Sequence, residues 1–148
     1  MSQAVELAIL VRAATKADGS RLEEIEQSCF ADCPWDAASI LHDECWVAET
    51  NGTVAAFLVS REIAPGDSAL PGEREISNLA VHPAWRRRGL AKALLDRELS
   101  RPAIFFLEVR ESNLAARNLY IGMGFEEIGK RSDYYQNPAE SAIVMKRK

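Results

Sequence analysis

The stretch that most constrains this chain lies between Ile76 and Ala91. An apolar run over residues 76–81 ends at His82-Pro83, and Ala84-Trp85-Arg86-Arg87-Arg88 leads to Gly89, where an apolar-periodic segment opens. That order predicts a strand, a basic loop and a helix N-terminus. Such a loop aims backbone N–H groups at one point, where the helix dipole adds partial positive charge. An anion suits that point, and a pyrophosphate fits best. The competing reading is an ordinary exposed basic turn.

The rest of the chain alternates between the two periodicities. Residues 7–13 read as a first strand. Asp18 is a candidate N-cap for a helix to about Phe30, and Asp36 for a short helix to about His42. Residues 45–49 and 53–61 are apolar runs flanking Asn51-Gly52, a strong hairpin signal. Residues 64–72 hold two prolines and two glycines and predict a loop. Residues 75–81 form the next strand. Residues 89–100 are amphipathic, with Leu90, Ala93, Leu94 and Leu99 at helical spacing, and Pro102 stops them. Residues 104–109 read as a buried strand. Ser112 is the expected cap of a helix through about Met123, ended by Gly124. Residues 125–135 and 142–146 are the last strands. The order β-α-α-β-β-β-α-β-α-β-β predicts an α/β or α+β fold with helices on both sides of a mixed sheet. No linker divides residues 1–148, so one domain is expected.

An apolar share of 47% and a charged share of 27% are those of an ordinary globular chain. The net charge of −4 argues against a nucleic-acid binder despite the arginine run, because such domains carry a broad basic face. No run approaches the roughly 18 apolar residues of a membrane span. No basic region precedes the apolar stretch at 5–11, so no signal peptide or membrane partner is expected, and a cytoplasmic enzyme is. Cys29, Cys33, His42 and Cys45 have the residue types of a Cys₃His zinc site. Cys29 and Cys33 flank a predicted helix end, however, and Cys45 opens a strand. They read as packing residues, with no metal expected. An odd number of cysteines argues against a disulfide framework.

A second motif runs Phe105-Phe106-Leu107-Glu108-Val109-Arg110-Glu111-Ser112-Asn113, then Leu119-Tyr120 and Gly124-Phe125. Glu108 lies in an apolar strand, where a carboxylate costs free energy unless paired or hydrated. It is therefore a candidate base, or else half of an ion pair with Arg110 or Arg117. Tyr120 and Asn113 are two helical turns apart and share a face. Asn113 is either a pantetheine contact or a helix cap, and Tyr120 either a proton donor or a core-edge residue. Trp35, Tyr134 and Tyr135 are candidates for a substrate wall, with core packing as the alternative. Glu23, Glu24, Glu26, Asp32, Asp36, Asp43 and Glu44 either recognise a basic peptide or form a solvated face.

Taken together, Arg86-x-x-Gly89-x-Ala91, the Leu107-Glu108-Val109-Arg110-x-Ser112-Asn113 run, the later Leu-Tyr and Gly-Phe pairs, Asn78-Leu79-Ala80-Val81, Pro34-Trp35 and Tyr134-Tyr135 resemble the RimI type of the GNAT superfamily of N-acetyltransferases. The resemblance covers nearly the whole chain. It implies a mixed sheet of about seven strands flanked by about four helices. The fourth and fifth strands would splay apart, and acetyl-CoA would insert between them. It implies acetyl transfer to the N-terminal α-amine of a protein, a ribosomal protein among the acceptors, by direct attack in a ternary complex. Glu108 would be the general base and Tyr120 the acid that protonates the CoA thiolate. The backbones of Leu79, Ala80 and Val81 would bind pantetheine, with one N–H near Leu79 steadying the oxyanion. The N–H groups from Arg87 through Arg88, Gly89 and Leu90 to Ala91 would hold the pyrophosphate, supported by the charges of Arg86, Arg88 and Lys92. Asn113 would complete the cofactor contacts. No cysteine falls in either motif, which argues against a ping-pong route.

Two departures from the pattern bear on substrate. The segment from Gly89 to Glu108 is shorter than usual for the type, and the loop at 64–72 is longer and richer in Pro and Gly. A small-molecule amine as acceptor is the first rival reading. A CoA-binding module without turnover is the second, disfavoured because Glu108 and Tyr120 are both present.

Overall fold

Apolar residues that alternate in strands and recur every three or four positions in helices fix the element order. The computed structural model describes residues 8–31 and 34–148. The elements are β1 (Ile9–Ala13), α1 (Gly19–Cys29), α2 (Ala37–Ile40), β2 (Glu44–Thr50), β3 (Thr53–Ala64), β4 (Gly72–Val81), α3 (Leu90–Leu99), β5 (Ala103–Arg110), α4 (Leu114–Gly122), β6 (Glu126–Tyr135) and β7 (Glu140–Arg147). Short 3₁₀ turns occupy Lys16–Asp18 and Pro83–Trp85. The strands form a 7-stranded sheet in the order β1-β2-β3-β4-β5-β7-β6. It is mixed: β4 and β5 run parallel, whereas β1/β2, β5/β7 and β6/β7 are antiparallel.

The parallel register runs from Gly72↔Ala103 to Ile76↔Leu107 and stops there, although β4 continues to Val81 and β5 to Arg110. On its other edge β5 stays paired with β7 through Glu108↔Val144 and Arg110↔Ala142. The pairing of β4 with β5 thus ends immediately before Glu108.

The chain divides into two units. One runs up to Val59 and resumes over Leu79–Arg97; the other holds Ser60–Asn78 and Glu98–Lys148. In the first, Leu22 and Ile25 of α1, Ile40 of α2, Val47, Val54, Phe57, Val59 and Ala80 make a buried cluster. The run Val54–Ser60 is buried throughout, as a strand covered on both faces must be. Asn51 and Gly52 take φ of 54° and 77°, the left-handed pair that a two-residue hairpin needs. In the second unit, the fully buried Glu98 accepts from Ser60 Oγ at 2.9 Å and pairs with Arg74 at 3.1 Å and Arg101 at 3.0 Å. That network supplies the partners a buried carboxylate requires. Among the described residues, no helix is long and apolar enough to cross a membrane.

Several expected boundaries move. β3 and β4 reach further than the apolar runs suggested, so the Pro- and Gly-rich loop shrinks to 65–71. There the Asp67 carboxylate ties the turn by accepting from Ala69 N and Leu70 N, at 2.7 and 2.8 Å. Asn113, not Ser112, caps α4, accepting from Ala116 N at 3.1 Å. Asp18 sits before α1 but makes no side-chain cap bond. Its carboxylate instead takes two hydrogen bonds of 2.9 Å from Arg12 of β1 and one of 2.7 Å from Thr15 N. A fork of two charge-assisted bonds outcompetes a single cap.

Arg12 lowers the pKa of Asp18 from 3.8 to about 2, with burial opposing and Thr15 assisting. The folded value lies below the unfolded one. The stabilisation is therefore complete above the ordinary value and is lost as pH falls through the folded value. Asp18→Asn is expected to cost on the order of 2 kcal/mol near neutral pH. In urea titrations across pH, the gap to wild type should close between 3.8 and about 2.

Candidate active site

The loop between β4 and α3 is shaped by its own side chains. His82 N donates to Ala55 O at 2.8 Å, and His82 Nδ1 accepts from Ala84 N at 3.1 Å, starting the 3₁₀ turn. Arg86 folds back, with Nε 3.4 Å from Val81 O and Nη2 3.6 Å from Cys29 Sγ. Its guanidinium braces the loop from behind. Arg88 lies 5.2 Å over the Trp85 ring, a cation–π contact that orders an exposed cation. Arg87, Arg88 and Lys92 are exposed, as an anion site needs.

Arg87 and Gly89 take φ of 62° and 82°. Ala93 N donates to Gly89 O at 3.0 Å, the first bond of α3, so the amides of Leu90, Ala91 and Lys92 have no intrahelical acceptor. A Cβ placed on Gly89 would meet no atom within 4 Å. The space in front of these amides is open, and only a residue without a side chain keeps it so. These residues fit a pyrophosphate. Of the strand ahead, Ala80 is buried in the core, while Leu79 and Val81 are half-buried. Val81 O already accepts from Cys29 Sγ at 3.2 Å.

In the second unit Glu108 has a side chain 23% exposed, with Oε1 3.4 Å from Arg131 Nε of β6. Its Oε2 is buried and accepts no hydrogen bond. The ion partner is therefore neither of the two arginines expected. Arg110 reaches Glu140 at 3.3 Å, and Arg117 reaches Glu127 at 2.8 Å. Arg131 carried no signal in the sequence, because the pairing spans two strands and β6 is bulged between Arg131 and Tyr135.

Tyr134 lies against the same carboxylate, whose hydrogen bonding and charge raise the phenol's pKa. Its ring meets Tyr135 edge-on, 5.0 Å between centroids. Tyr135 is pushed up to about 12, first by burial and then by Tyr134 and Glu108. Glu108 and the tyrosine pair, singled out separately, thus come together. Tyr120 is buried on α4 and packs edge-on against Phe125 at 5.7 Å, which explains the joint presence of the Leu-Tyr and Gly-Phe pairs. Burial raises its pKa well above that of a free phenol, so it holds its proton at neutral pH. Asn113 spends Oδ1 on the cap of α4, which leaves its amide nitrogen for other contacts.

Trp35 belongs to the first unit. Its indole packs against the core there, and its backbone N donates to Glu26 at 3.0 Å. With Asp36, Ala38, Ser39, His42 and Asp43 it lines a shallow depression. Part of the acidic group is committed to the fold, and Glu24 to a surface pair. Glu26 is buried, Glu23 accepts from Ala37 N, Asp36 caps α2, and Glu24 pairs with Arg21. Asp32 and Cys33 lie outside the described residues. Cys29 packs against the core and donates to Val81 O, and burial pushes the Cys45 thiol up to about 12. His42 is exposed and pairs with Asp43 at 3.3 Å.

Residues 10–125 match the family model described as acetyltransferase (GNAT) family. The chain belongs to the GNAT family. A similar curated relative is N-alpha-acetyltransferase RimI of Mycobacterium tuberculosis, 32% identical over 94% of this chain and 92% of the relative. The [ribosomal protein bS18]-alanine N-acetyltransferase of Haemophilus ducreyi is 30% identical over 92% and 97%. The crystal structure of the ribosomal-protein-S18-alanine N-acetyltransferase from Escherichia coli superposes with a TM-score of 0.78 at 29% identity, covering 95% and 93%. This GNAT chain is accordingly an acyltransferase.

The loop geometry sets a test. Acetyl-CoA at about a hundred times its Kd should raise stability by about 2.7 kcal/mol, read as a thermal shift. Gly89→Val should remove most of that shift, because a branched side chain fills the open space and opposes the positive φ.

Proposed function

We propose that this GNAT enzyme moves acetyl from acetyl-CoA to the N-terminal α-amine of a protein, a ribosomal protein among its acceptors, with both substrates bound together. The observation that carries the reading is the Glu108 carboxylate, which meets Arg131 and Tyr134 yet keeps its buried Oε2 without a hydrogen bond. A buried acceptor without a donor costs about 1–3 kcal/mol, and the proton of an incoming ammonium is a donor that removes the cost. The relatives, an N-alpha-acetyltransferase and a ribosomal-protein-alanine N-acetyltransferase, support an α-amine acceptor.

In this reading Glu108 takes one proton from the ammonium, the freed amine nitrogen attacks the thioester carbonyl carbon, and the nitrogen's second proton leaves to solvent as the amide forms. A backbone N–H near Leu79 steadies the oxyanion. The C–S bond breaks, and Tyr120 gives its proton to the departing sulfur. Holding both reactants lowers the barrier by removing the entropy of encounter. The amides from Arg87 to Ala91, with Arg88 and Lys92, hold the pyrophosphate. Arg86 acts by bracing the loop. Trp35, Tyr134 and Tyr135 wall the acceptor, and Asn113 offers its amide nitrogen to the pantetheine arm. No metal takes part. Because Glu23, Glu26 and Asp36 are spent on the fold, aromatic walls carry acceptor recognition more than bulk negative charge does.

A panel of peptides and small amines with acetyl-CoA, read by mass spectrometry, tests the acceptor. Acetylation of the α-amine is expected; preference for a polyamine or aminoglycoside over every peptide would transfer the function to small-molecule acetylation. Glu108→Gln should lower kcat by roughly 10²–10⁴ while leaving acetyl-CoA affinity nearly unchanged. The loss should be partly recovered at high pH, where the free amine has already shed its proton. Tyr120→Phe should slow turnover without that recovery.

A further inference from the structure

We infer that Arg131 is a positioning residue for Glu108: it holds the carboxylate by Oε1 so that Oε2 is presented to the acceptor's amine. This rests on the reading of Glu108 as the base. The pair is a poor candidate for a stabilising salt bridge. Its single contact is 3.4 Å long and the Arg131 side chain is 61% exposed, conditions in which such pairs contribute little. The other side of the same carboxylate is buried with no donor.

That combination needs a cause. The terminal torsion of a glutamate is soft, so nothing within the side chain itself keeps one oxygen aimed at an incoming amine. Arg131 supplies that restraint by fixing Oε1. The guanidinium is fixed in turn, 5.8 Å over the Tyr134 ring, which rests edge-on against Tyr135. Tyr134 also lies against the Glu108 carboxylate. The cation, the ring and the base thus brace one another.

Neighbouring charges are engaged elsewhere. Lys130 pairs with Glu111 at 2.8 Å, and Arg110 stacks 4.4 Å over Tyr135 while donating to the carbonyls of Pro138 and Gln136. The sequence neighbours of Arg131 and Glu108 therefore do not duplicate the contact.

The experiment is steady-state kinetics with an acceptor peptide for wild type, Arg131→Ala, Arg131→Lys, Glu108→Gln and the Glu108→Gln/Arg131→Ala double variant. Arg131→Ala should lower kcat roughly ten-fold, as loss of a positioning contact does, with acceptor KM and acetyl-CoA affinity within about two-fold of wild type. Arg131→Lys should restore part of the loss. In the Glu108→Gln background Arg131→Ala should cost nothing further, since the two act as one unit. A normal kcat for Arg131→Ala beside an impaired Glu108→Gln overturns this inference and leaves the base intact. So does an equal loss in both backgrounds, or a loss that appears in KM alone. A normal kcat for Glu108→Gln removes the base and this inference with it.

Discussion

Where the parallel register of β4 and β5 ends decides what Glu108 can do. Up to Ile76↔Leu107 the two strands are paired, and the next residue of β5 is Glu108. β7 goes on holding β5 along its other edge, so the strand stays rigid past the point where the register ends. A carboxylate at that position has a held backbone and an edge no longer paired with β4. Neither a fully paired sheet nor a loop supplies both, and functional groups on rigid strands keep tighter geometry than those on loops.

The buried carboxylates of this chain separate into two kinds. Glu26 and Glu98 are as buried as any side chain in the molecule, and each meets donors: Trp35 N for Glu26, and Ser60, Arg74 and Arg101 for Glu98. They organise the ends of helices. Glu108 is less buried, yet one of its oxygens has nothing to accept from. Incomplete satisfaction, more than depth, distinguishes the group assigned to chemistry from those assigned to architecture.

Much of this was legible in the sequence because it depends on local rules. The Asn51-Gly52 hairpin, the loop leading to Gly89 and the helix ended by Gly124 are each fixed within a few residues, and all three stand. Glu108 is marked by its place in an apolar strand, and the Tyr134-Tyr135 pair by the family resemblance. What failed was anything set by tertiary reach. A strand does not announce which arginine from another strand will meet it, so Arg110 and Arg117 were the natural partners on paper and Arg131 was passed over. The acidic group near α1 looked like one surface, but burial of Glu26 and capping by Asp36 depend on how the chain folds back between α1 and α2. Asp18 holds the N-cap position of α1 as expected, but its carboxylate goes to Arg12 because that arginine comes from the preceding strand.

Arg110 shows how the turn after Tyr135 can keep its path when its side chains change. It stands two positions from Glu108 and secures the turn after Tyr135 chiefly through the main-chain oxygens of Gln136 and Pro138, with Glu140 at the far end. Main-chain oxygens are the same whatever side chain sits above them. The turn can thus exchange side chains while its path, and the aromatic pair before it, stay anchored to the strand that carries Glu108.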